Sequence, residues 1–429
     1  MKIRNSFLVA GLAAVAILAA GCGGTDSSPD SATAASKSAI DVSGCGKSPG
    51  KAASGAPIRV GAVIGKSGPA DLSSASLSAK AYFDCVNANG GIGGRPIQYS
   101  VVDDAWNPAK SNQVAKELVQ DKGVTALVGS FSFFDCASNS GYYESQNVLS
   151  VTSVGATREC FHSRNIAPIN QGPRLSGLGA AQYAVSQGAK SLSCVGNVLP
   201  NFGKWACDGL VAWGKQHNIK VQTFLGKPDA SDAQTIVVQA LNAPTDAVVE
   251  IDTVPQMAAY MKAAQQQQSS KPWYAPTSAY DLAFPKLVGP KWNKKLDVQI
   301  ELAPLDSKGR DNQLWRAIMD RYAGSKAPRD SFSQTGFLAA KVFVDAVSTI
   351  KPSAIDRDSV TKALRAVKDF KTDLLCSPWY FGDGAEHNAN NVGRIVKLTG
   401  EGNTGFAPEK GCTPVEDPDL ASIRAAEAG

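Results

Sequence analysis

The sequence predicts an α/β protein made of two Rossmann-like lobes with parallel sheets. Short runs rich in Val and Ile alternate with longer amphipathic segments, which is the strand and helix pattern of an α/β fold. The runs are almost continuously apolar, as expected of parallel strands that are covered on both faces. The chain beyond residue 56 also exceeds the usual size of one hydrophobic core, so we expect two lobes joined by a few extended crossings.

Eight runs are predicted as strands, four in each lobe. The first series is IRVGAVI (58–64), PIQYSVVDD (96–104), VTALVG (124–129) and VLSVTSV (148–154), and the second is SLSCVGNV (191–198), IKVQTF (219–224), DAVVEI (246–251) and LDVQIEL (296–302). An extended stretch with two prolines, residues 164–177, separates the series. Small and apolar residues at helical spacing predict one long helix over residues 328–350.

The N-terminus has the pattern of an export signal. Two basic residues precede an uncharged apolar stretch, and small residues then lead to Cys22. We interpret residues 1–21 as a lipoprotein signal peptide and Cys22 as the lipidated first residue. The alternative is a simple cleaved signal with an incidental cysteine. Residues 22–56 are rich in Gly, Ser, Ala and Pro and are predicted to be a flexible tether.

Composition narrows the function classes further. The hydrophobic content of 43% is ordinary for a globular protein, and the net charge of +5 is spread along the chain without a basic cluster. This disfavours a nucleic acid partner. No later apolar run is long enough to span a bilayer, so we expect a membrane-anchored rather than a membrane-spanning protein.

The cysteine count agrees with export. Nine cysteines less the lipidated Cys22 leave eight, and an even set in an oxidising compartment indicates disulfides. The sequence leaves many connectivities open, and we predict the pairing of neighbouring positions: Cys45 with Cys85, Cys136 with Cys160, Cys194 with Cys207, and Cys376 with Cys412. Metal binding is the competing interpretation, but the chain has no Cys-x-x-Cys pair and its three histidines are far apart.

No motif predicts catalysis or a cofactor. The stretch RVGAVIGKS (59–67) ends like a phosphate-binding loop, but only three residues separate Gly61 from Gly65, and Pro69 follows where such a loop enters a helix. GLGAAQ (177–182) lacks the third glycine of a dinucleotide motif, and no nucleophile elbow or zinc-protease motif occurs. We therefore expect neither an enzyme nor a bound cofactor.

Polar loops follow several predicted strands. They are GKSGPADLSS, GSFSFFDCAS and SVGATREC in the first lobe and NVLPNFGKW in the second. In α/β proteins, ligands bind beyond the carboxyl ends of the strands. Two lobes that face each other with such loops predict a cleft for a small polar ligand, with Ser67 as one candidate lining residue.

The motifs in this order resemble one known family. IRVGAVIGKSGPADLSS, NANGGIGGRPI, SVGAT and NFGKWACDGL are similar to segments of Leu/Ile/Val-binding (type I) periplasmic substrate-binding proteins, and the resemblance covers nearly all of residues 57–400. It implies three hinge crossings between lobe 1 (57–170 plus 304–374) and lobe 2 (171–303 plus 375–412), with 413–429 as a tail. It also implies a monomer that delivers its ligand to the permease of an ABC importer.

The resemblance also implies a set of ligand contacts. The matching positions are Ser130, Ser132 and Phe133 after the third strand, Ser153, Gly155 and Thr157 after the fourth, Phe202 in lobe 2, Asp252, Thr253, Tyr280 and Asp281 for an ammonium group, and Gln334 at the start of the long helix. The loop SFSFFDCAS departs from the family pattern by its phenylalanines, which either line the cleft or pack in the lobe core. This departure suggests a ligand with an aromatic or otherwise apolar part.

The expected function is therefore that of a membrane-anchored solute receptor. The ligand would be an amino acid, a related amide or an aromatic acid. Two alternatives stay open on the sequence: a sensor that passes cleft closure to a membrane receptor, and an exported hydrolase on the same scaffold.

Overall fold

A computed structural model describes residues 45–420 of the chain. The predicted signal peptide, Cys22, the tether up to residue 44 and residues 421–429 of the tail lie outside the described residues. The described part contains two seven-stranded sheets, each covered by helices on both faces. The prediction of a two-lobed α/β fold with mainly parallel sheets is confirmed.

The first sheet belongs to lobe 1. Its strands are β1 (Ile58–Ile64), β2 (Ile97–Asp103), β3 (Ala126–Val128), β4 (Phe131–Ser132), β5 (Ser150–Thr152), β6 (Val154–Gly155) and β7 (Ile166–Pro168). β1 pairs with β2 and with β3 and β4, and all pairings are parallel. The predicted fourth strand is interrupted at Ser153, whereas the third ends at Val128 and is followed, after Gly129 and Ser130, by the separate strand β4. Gly129 has a φ of 85°, a conformation that ends regular strand geometry.

The second sheet belongs to lobe 2. Its strands are β8 (Ser191–Asn197), β9 (Lys220–Gly226), β10 (Ala247–Ile251), β11 (Trp273–Ala275), β12 (Leu296–Ile300), β13 (Val392–Leu398) and β14 (Phe406–Pro414). The order is β14-β13-β12-β11-β10-β8-β9. The strands from β8 to β12 are parallel, but β13 and β14 form an antiparallel hairpin at the edge. The prediction of parallel sheets therefore holds for the core of lobe 2 and not for its C-terminal edge.

Twelve α-helices lie with both ends inside residues 45–420. They are α1 (Ser74–Ala88), α2 (Pro108–Lys116), α3 (Asp135–Ser145), α4 (Arg158–Phe161), α5 (Gly172–Ser186), α6 (Gly203–His217), α7 (Ala233–Asn242), α8 (Val254–Gln266), α9 (Phe284–Val288), α10 (Arg310–Ile318), α11 (Ser331–Val347) and α12 (Arg357–Arg365). None of the helices between residues 45 and 420 has both the length and the apolar character needed to cross a membrane.

The long helix α11 returns to lobe 1 and packs against α1. A Cβ on Gly336 would lie within 1.9 Å of the carbonyl oxygen of Ala75, so only glycine permits this close approach of the two helices. The contact brings the N-termini of α1 and α11 together at the carboxyl edge of the first sheet, where Asp330 accepts a hydrogen bond from the Ser74 hydroxyl at 2.5 Å. Residues 330 and 74 thus form one wall of the space between the lobes.

The segments that connect the lobes are joined by buried polar side chains. Glu301, after β12, accepts a hydrogen bond from the amide of Gln171 at 2.6 Å, and Gln299 donates to the Gln171 side chain at 2.7 Å. Asn390 donates to the carbonyls of Ile169 and Glu301. These hydrogen bonds join the segments around residues 170, 300 and 390 in one network. The limits of the lobes at residues 170, 303 and 374 stay predictions.

All four predicted disulfides are present. Cys45–Cys85 and Cys136–Cys160 lie in lobe 1, Cys194–Cys207 joins β8 to α6, and Cys376–Cys412 ties β14 to the segment before β13. Each bridge links positions that are neighbours in the cysteine order, which is the pairing that the sequence predicted.

Candidate functional site

A cavity of about 260 Å³ lies between the two lobes. Lobe 1 contributes the loop before α1, the ends of β4 and β6, and the start of α11. Lobe 2 contributes the starts of α5, α6 and α8, the end of β10 and the loop after β11. The cavity therefore lies at the carboxyl edges of both sheets, where α/β proteins bind their ligands.

Aromatic rings form the apolar part of the cavity. Phe131 and Phe332 of lobe 1 contact each other with ring centroids 5.0 Å apart. Phe133 of lobe 1 meets Phe202 of lobe 2 edge to face, at 5.1 Å and an interplanar angle of 82°. Of the three phenylalanines in the loop SFSFFDCAS, Phe131 and Phe133 line the cleft, whereas Phe134 lines only a neighbouring space.

That neighbouring space is a second cavity of about 820 Å³. The Phe133 and Phe202 rings line both cavities, and we call the smaller one the inner cavity and the larger one the outer cavity. Trp106 stacks on Phe133 with centroids 4.9 Å apart and thereby holds one side of the pair in place. The aromatic contact across the cleft involves one ring from each lobe.

The charged side chains of the inner cavity are all acidic. Asp71 and Asp330 come from lobe 1, and Asp252 and Asp281 come from lobe 2. Asp229 adds a fifth carboxylate in the outer cavity. Within residues 45–420, the side chains that line these two cavities include no Lys, Arg or His.

Asp252 is the most deeply buried of these acids. It follows the last residue of β10 and is only 1% exposed. Its Oδ1 accepts hydrogen bonds from the Asn197 side chain at 2.8 Å and from the Thr253 amide at 3.1 Å, whereas its Oδ2 has no hydrogen-bond partner. Burial raises the pKa of Asp252 to about 7. Glu250, two residues earlier, has both carboxylate oxygens unpartnered, and burial followed by the charge of Asp252 raises its pKa well above the ordinary value.

Asp330 presents a different environment. Its side chain caps α11 by accepting the Ser333 amide at 2.7 Å, in addition to the Ser74 hydroxyl. Burial raises the pKa of Asp330, and the negative charge of Asp281 from the opposite lobe raises it further. Carboxylates of the two lobes therefore face each other across the cavity.

Five of the predicted ligand contacts line the inner cavity. They are Phe133, Gly155, Phe202, Asp252 and Thr253, and Asp281, named with them, also lines it. Thr157 lines the outer cavity instead. The structure therefore brings together predicted residues from both lobes at one place.

The predicted lobe 1 serines do not line the cavity. Ser67 is exposed, and its amide donates to the Asp103 carboxylate. The Ser130 hydroxyl oxygen accepts the Val63 amide at 3.1 Å. Ser132 donates to Asp104 and accepts the amides of the first residues of α3. Their hydroxyls thus serve the local backbone, and their ligand contacts stay predictions without a place in the cavity.

The remaining predicted residues lie in the protein interior. Ser153 is fully buried and its hydroxyl has no partner, but it does not line either cavity. The Tyr280 hydroxyl accepts the Leu305 amide at 3.1 Å, and burial raises its pKa to about 12. Gln334 donates to Asn312 at 2.7 Å and to the Ala303 carbonyl at 3.2 Å. Both side chains connect elements around the crossings rather than facing the cavity.

Sequence reasoning missed Asp330, Phe332 and Thr277. The sequence contained a signal for the first two, because they lie at the start of the long predicted helix. The N-terminus of a helix that packs on the sheet lies at the carboxyl edge of that sheet, where the ligand is expected. The choice of Gln334 placed the contact one turn too far along α11. Thr277 follows the short strand β11, which the sequence did not predict, and its buried hydroxyl has no partner.

Two α/β lobes with a lined cavity between them define a bilobal binding protein. A family model described as periplasmic binding protein matches residues 57–403, and the chain belongs to this family. The resemblance drawn from the motifs is thereby confirmed, and the fold is the type I fold of the Leu/Ile/Val-binding proteins. Members of the family are substrate-binding proteins rather than enzymes, and membership implies an extracytoplasmic location.

Solved structures share this fold at low sequence identity. A fatty acid ABC transporter substrate-binding protein from Thermomonospora curvata is 20% identical, with a TM-score of 0.72 over 86% of this chain and 96% of that chain. An ABC transporter solute-binding protein from R. palustris in complex with 4-hydroxybenzoate is 16% identical, with a TM-score of 0.73 over 86% and 100%. A branched-chain amino acid transporter substrate-binding protein from Streptococcus pneumoniae in complex with isoleucine is 15% identical, with a TM-score of 0.67 over 83% and 100%. No curated protein matches the sequence significantly.

Proposed function

We propose that this protein is a solute receptor that captures a small molecule between its lobes and delivers it to an ABC importer. The observation that carries the proposal is the inner cavity, because residues of both lobes line it and a ligand there would contact both. Such a ligand stabilises the closed arrangement of the lobes in proportion to the contacts that it makes only in that state.

The ligand has a polar end and an apolar part. Four phenylalanine rings offer the apolar surface, and Asp252, Thr253 and Thr277 offer polar atoms. The bound molecules named for proteins of similar fold, isoleucine and 4-hydroxybenzoate, combine the same two features. An amino acid, a related amide or an aromatic acid is therefore the starting set of candidate ligands.

We also propose that the receptor is anchored to the outer face of the cell membrane through a lipid on Cys22 and acts as a monomer. The support is the signal pattern in the sequence and the family's location outside the cytoplasm. The test is mass spectrometry of the membrane fraction, in which the wild-type chain carries a diacylglyceryl group at Cys22. The matched variant Cys22→Ser is expected in the soluble fraction, and a membrane-bound Cys22→Ser chain would contradict the anchor.

The binding proposal is tested with the purified protein. Native mass spectrometry identifies a retained solute, and a thermal-shift screen of amino acids, amides and aromatic acids seeks a rise in Tm. Phe202→Ala should weaken any such shift because it removes the lobe 2 ring from the cavity wall. Phe224→Ala, in lobe 2 but outside both cavities, is the control and should leave the shift unchanged. A protein that retains no solute and responds to no compound would contradict the proposal.

A further inference from the structure

We propose that the outer cavity is a second part of the binding site and takes an extended apolar group of a solute whose polar end lies in the inner cavity. The inference rests on the proposed function and narrows its ligand class to molecules whose apolar part is larger than one aromatic ring, such as those with a medium-length alkyl chain. Isoleucine and 4-hydroxybenzoate, which occupy proteins of similar fold, have no group that long.

The first support is that the two cavities adjoin and differ in size. The residues that line both come from both lobes and are Ala70, Phe133, Phe202, Thr253 and Pro255. Pockets for drug-sized molecules measure about 300–1,000 Å³. The inner cavity, at about 260 Å³, lies below this range, whereas the outer cavity, at about 820 Å³, lies within it. A solute confined to the inner cavity would therefore leave the larger adjoining space unused.

The second support is that the polar groups of the outer cavity already have partners in the protein. The Asn197 side chain donates one hydrogen bond and accepts another. Gln256 donates to a carbonyl and accepts from the hydroxyl and the amide of Thr253. Asp229, which is exposed, accepts the Ser231 amide at 3.0 Å. The surface that remains for a ligand is mainly apolar, and Trp106, Phe134 and Leu199 belong to it.

The inner cavity differs in this respect. Asp252 Oδ2 and Thr277 Oγ1 belong to residues that line it, are buried and have no hydrogen-bond partner. Within residues 45–420, no residue that lines only the outer cavity has a buried side-chain oxygen or nitrogen without a partner. Because unpartnered polar atoms favour the polar end of a ligand, that end belongs in the inner cavity and the apolar end in the outer one.

The third support is the backbone that holds Trp106 in the wall of the outer cavity. Ala105 and Trp106 have φ angles of 51° and 56°, a region that is unfavourable for residues with a side chain and an outlier for a bulky one. The indole N–H donates to the Ala70 carbonyl at 3.0 Å, so the apolar ring surface is left for the cavity and for Phe133. Such strained conformations occur where a ligand is held, and here the strain places an apolar ring.

The fourth support is that the two lobes touch at the border of the outer cavity. Asn201 of lobe 2 lines this cavity, and its carbonyl accepts the Arg158 amide of lobe 1 at 3.0 Å. Its side chain donates to Glu159 of lobe 1 at 2.6 Å. An apolar group in the outer cavity is therefore withdrawn from water when the lobes are together, which is the condition for a hydrophobic gain in affinity.

The test compares solutes that share a polar end and differ in chain length. The pairs are butanoate and octanoate, butanamide and octanamide, and butylammonium and octylammonium, titrated calorimetrically into the full chain at pH 7.5. Each methylene transferred from water to an apolar cavity strengthens binding about fourfold. For the polar end that the inner cavity accepts, we expect the longer member of the pair to bind about a hundredfold more tightly.

Two variants that fill the outer cavity locate this gain. Ala259→Trp on α8 and Ala137→Trp on α3 place an indole in the outer cavity from opposite lobes, and neither residue lines the inner cavity. Each should reduce the advantage of the longer probe about tenfold or more, because displacing two methylenes costs this much. Each should leave the affinity for the shorter probe unchanged. Ala212→Trp is the matched control, since Ala212 is a half-buried alanine of a lobe 2 helix and lines neither cavity.

Equal affinities for the short and long probes would overturn the inference and leave the solute receptor in place. An advantage of the long probe that is unchanged in both filling variants would also overturn it. A protein that binds none of the probes is decided by the solute that it retains in native mass spectrometry. An apolar part larger than one aromatic ring in that solute supports the inference, and a solute without one overturns it. A protein with neither response nor retained solute contradicts the proposed function itself.

Discussion

The two sides of the cleft differ in whether their buried polar groups have hydrogen-bond partners. In lobe 1, Asn170 binds the Gly155 backbone at the cavity, and behind the wall Ser132 joins the buried Asp104 to the first amides of α3. In lobe 2, Asp252 and Thr277 reach the cavity with oxygens that have no partner. Because proteins satisfy nearly all buried polar groups, the lobe 1 wall has the character of a structural element and the lobe 2 wall that of a recognition surface.

Ser132→Ala should give the largest change in the free energy of unfolding. It tests whether the polar groups behind the lobe 1 wall stabilise the fold rather than bind the ligand. The variant removes the hydrogen bond to Asp104, which is 0% exposed, together with the cap of α3. We expect the free energy of unfolding to fall by about 2–3 kcal/mol, measured by chemical denaturation. The variant should keep its ligand response when folded. A stable variant that has lost ligand binding would reverse the assignment of the two walls.

Asp252→Asn should raise the free energy of unfolding of the ligand-free protein, whereas Ser132→Ala lowers it. Burial raises the pKa of Asp252 to about 7, so between about pH 4 and pH 7 the folded protein holds a proton that the unfolded chain has released. The stability of the wild type therefore falls as the pH rises through this window, and Asn removes that loss. We expect a gain in the free energy of unfolding of about 1–2 kcal/mol at pH 8.

The pH dependence of this difference is the sharper measurement. The titratable groups that the charge of Asp252 affects are Glu250 on the same strand and Tyr260 of α8. The pKa of Glu250 should also fall in the variant because the charge of Asp252 is removed, and this adds to the gain in stability. Thermal denaturation of both proteins from pH 5 to pH 8 should show a Tm difference that grows with pH. A constant difference would mean that Asp252 is charged throughout.

The aromatic pair between the walls should give a smaller effect. Phe133→Ala, Phe202→Ala and the double variant form a cycle that isolates the contact between the two rings. We expect a coupling free energy of about 1 kcal/mol in the ligand-free protein. Phe131 and Phe332, both of lobe 1, are the matched pair within one lobe. Coupling in the lobe 1 pair but none between Phe133 and Phe202 would mean that these two rings do not contact each other in solution.

Two threonines should give the smallest change in the free energy of unfolding, and they compare an unpartnered hydroxyl of lobe 2 with a partnered one of lobe 1. Thr277→Val removes a buried hydroxyl that has no partner, so the free energy of unfolding should change by less than about 0.5 kcal/mol. Thr152→Val removes a hydroxyl that contacts the Ser150 hydroxyl at 2.7 Å and should cost about 1 kcal/mol. Equal losses in the two variants would show that Thr277 is satisfied in the free protein.

The fold was predictable because its signals are local. Continuous apolar runs placed eight strands within a few residues, and cysteine order gave all four disulfides. Strands of two or three residues, such as β7 and β11, carry no such periodic signal. The antiparallel direction of the lobe 2 edge was also missed, since the direction of a strand depends on its tertiary partners.

The candidate site was predictable only in part. Asp252 and Phe202 follow the ends of predicted strands, where position alone indicates the cleft. Ser130 and Ser132 hold similar positions, but their hydroxyls bind the neighbouring backbone and Asp104. A sequence shows that a polar group is available at a strand end, and it does not show whether another part of the chain already binds it.

The disulfide between Cys45 and Cys85 decides how the chain before residue 45 is attached to lobe 1. Cys85 lies in the last turn of α1, whereas Ser74 at the other end of this helix lines the cavity, about 16 Å away along the axis. A mechanical force on the preceding segment would therefore be transmitted through the disulfide to the C-terminal end of α1. This end of the helix does not line the cavity, so the force would not act directly on the ligand contacts. Under such a load lobe 1 is the fixed body, and lobe 2 moves against it when the cleft opens and closes.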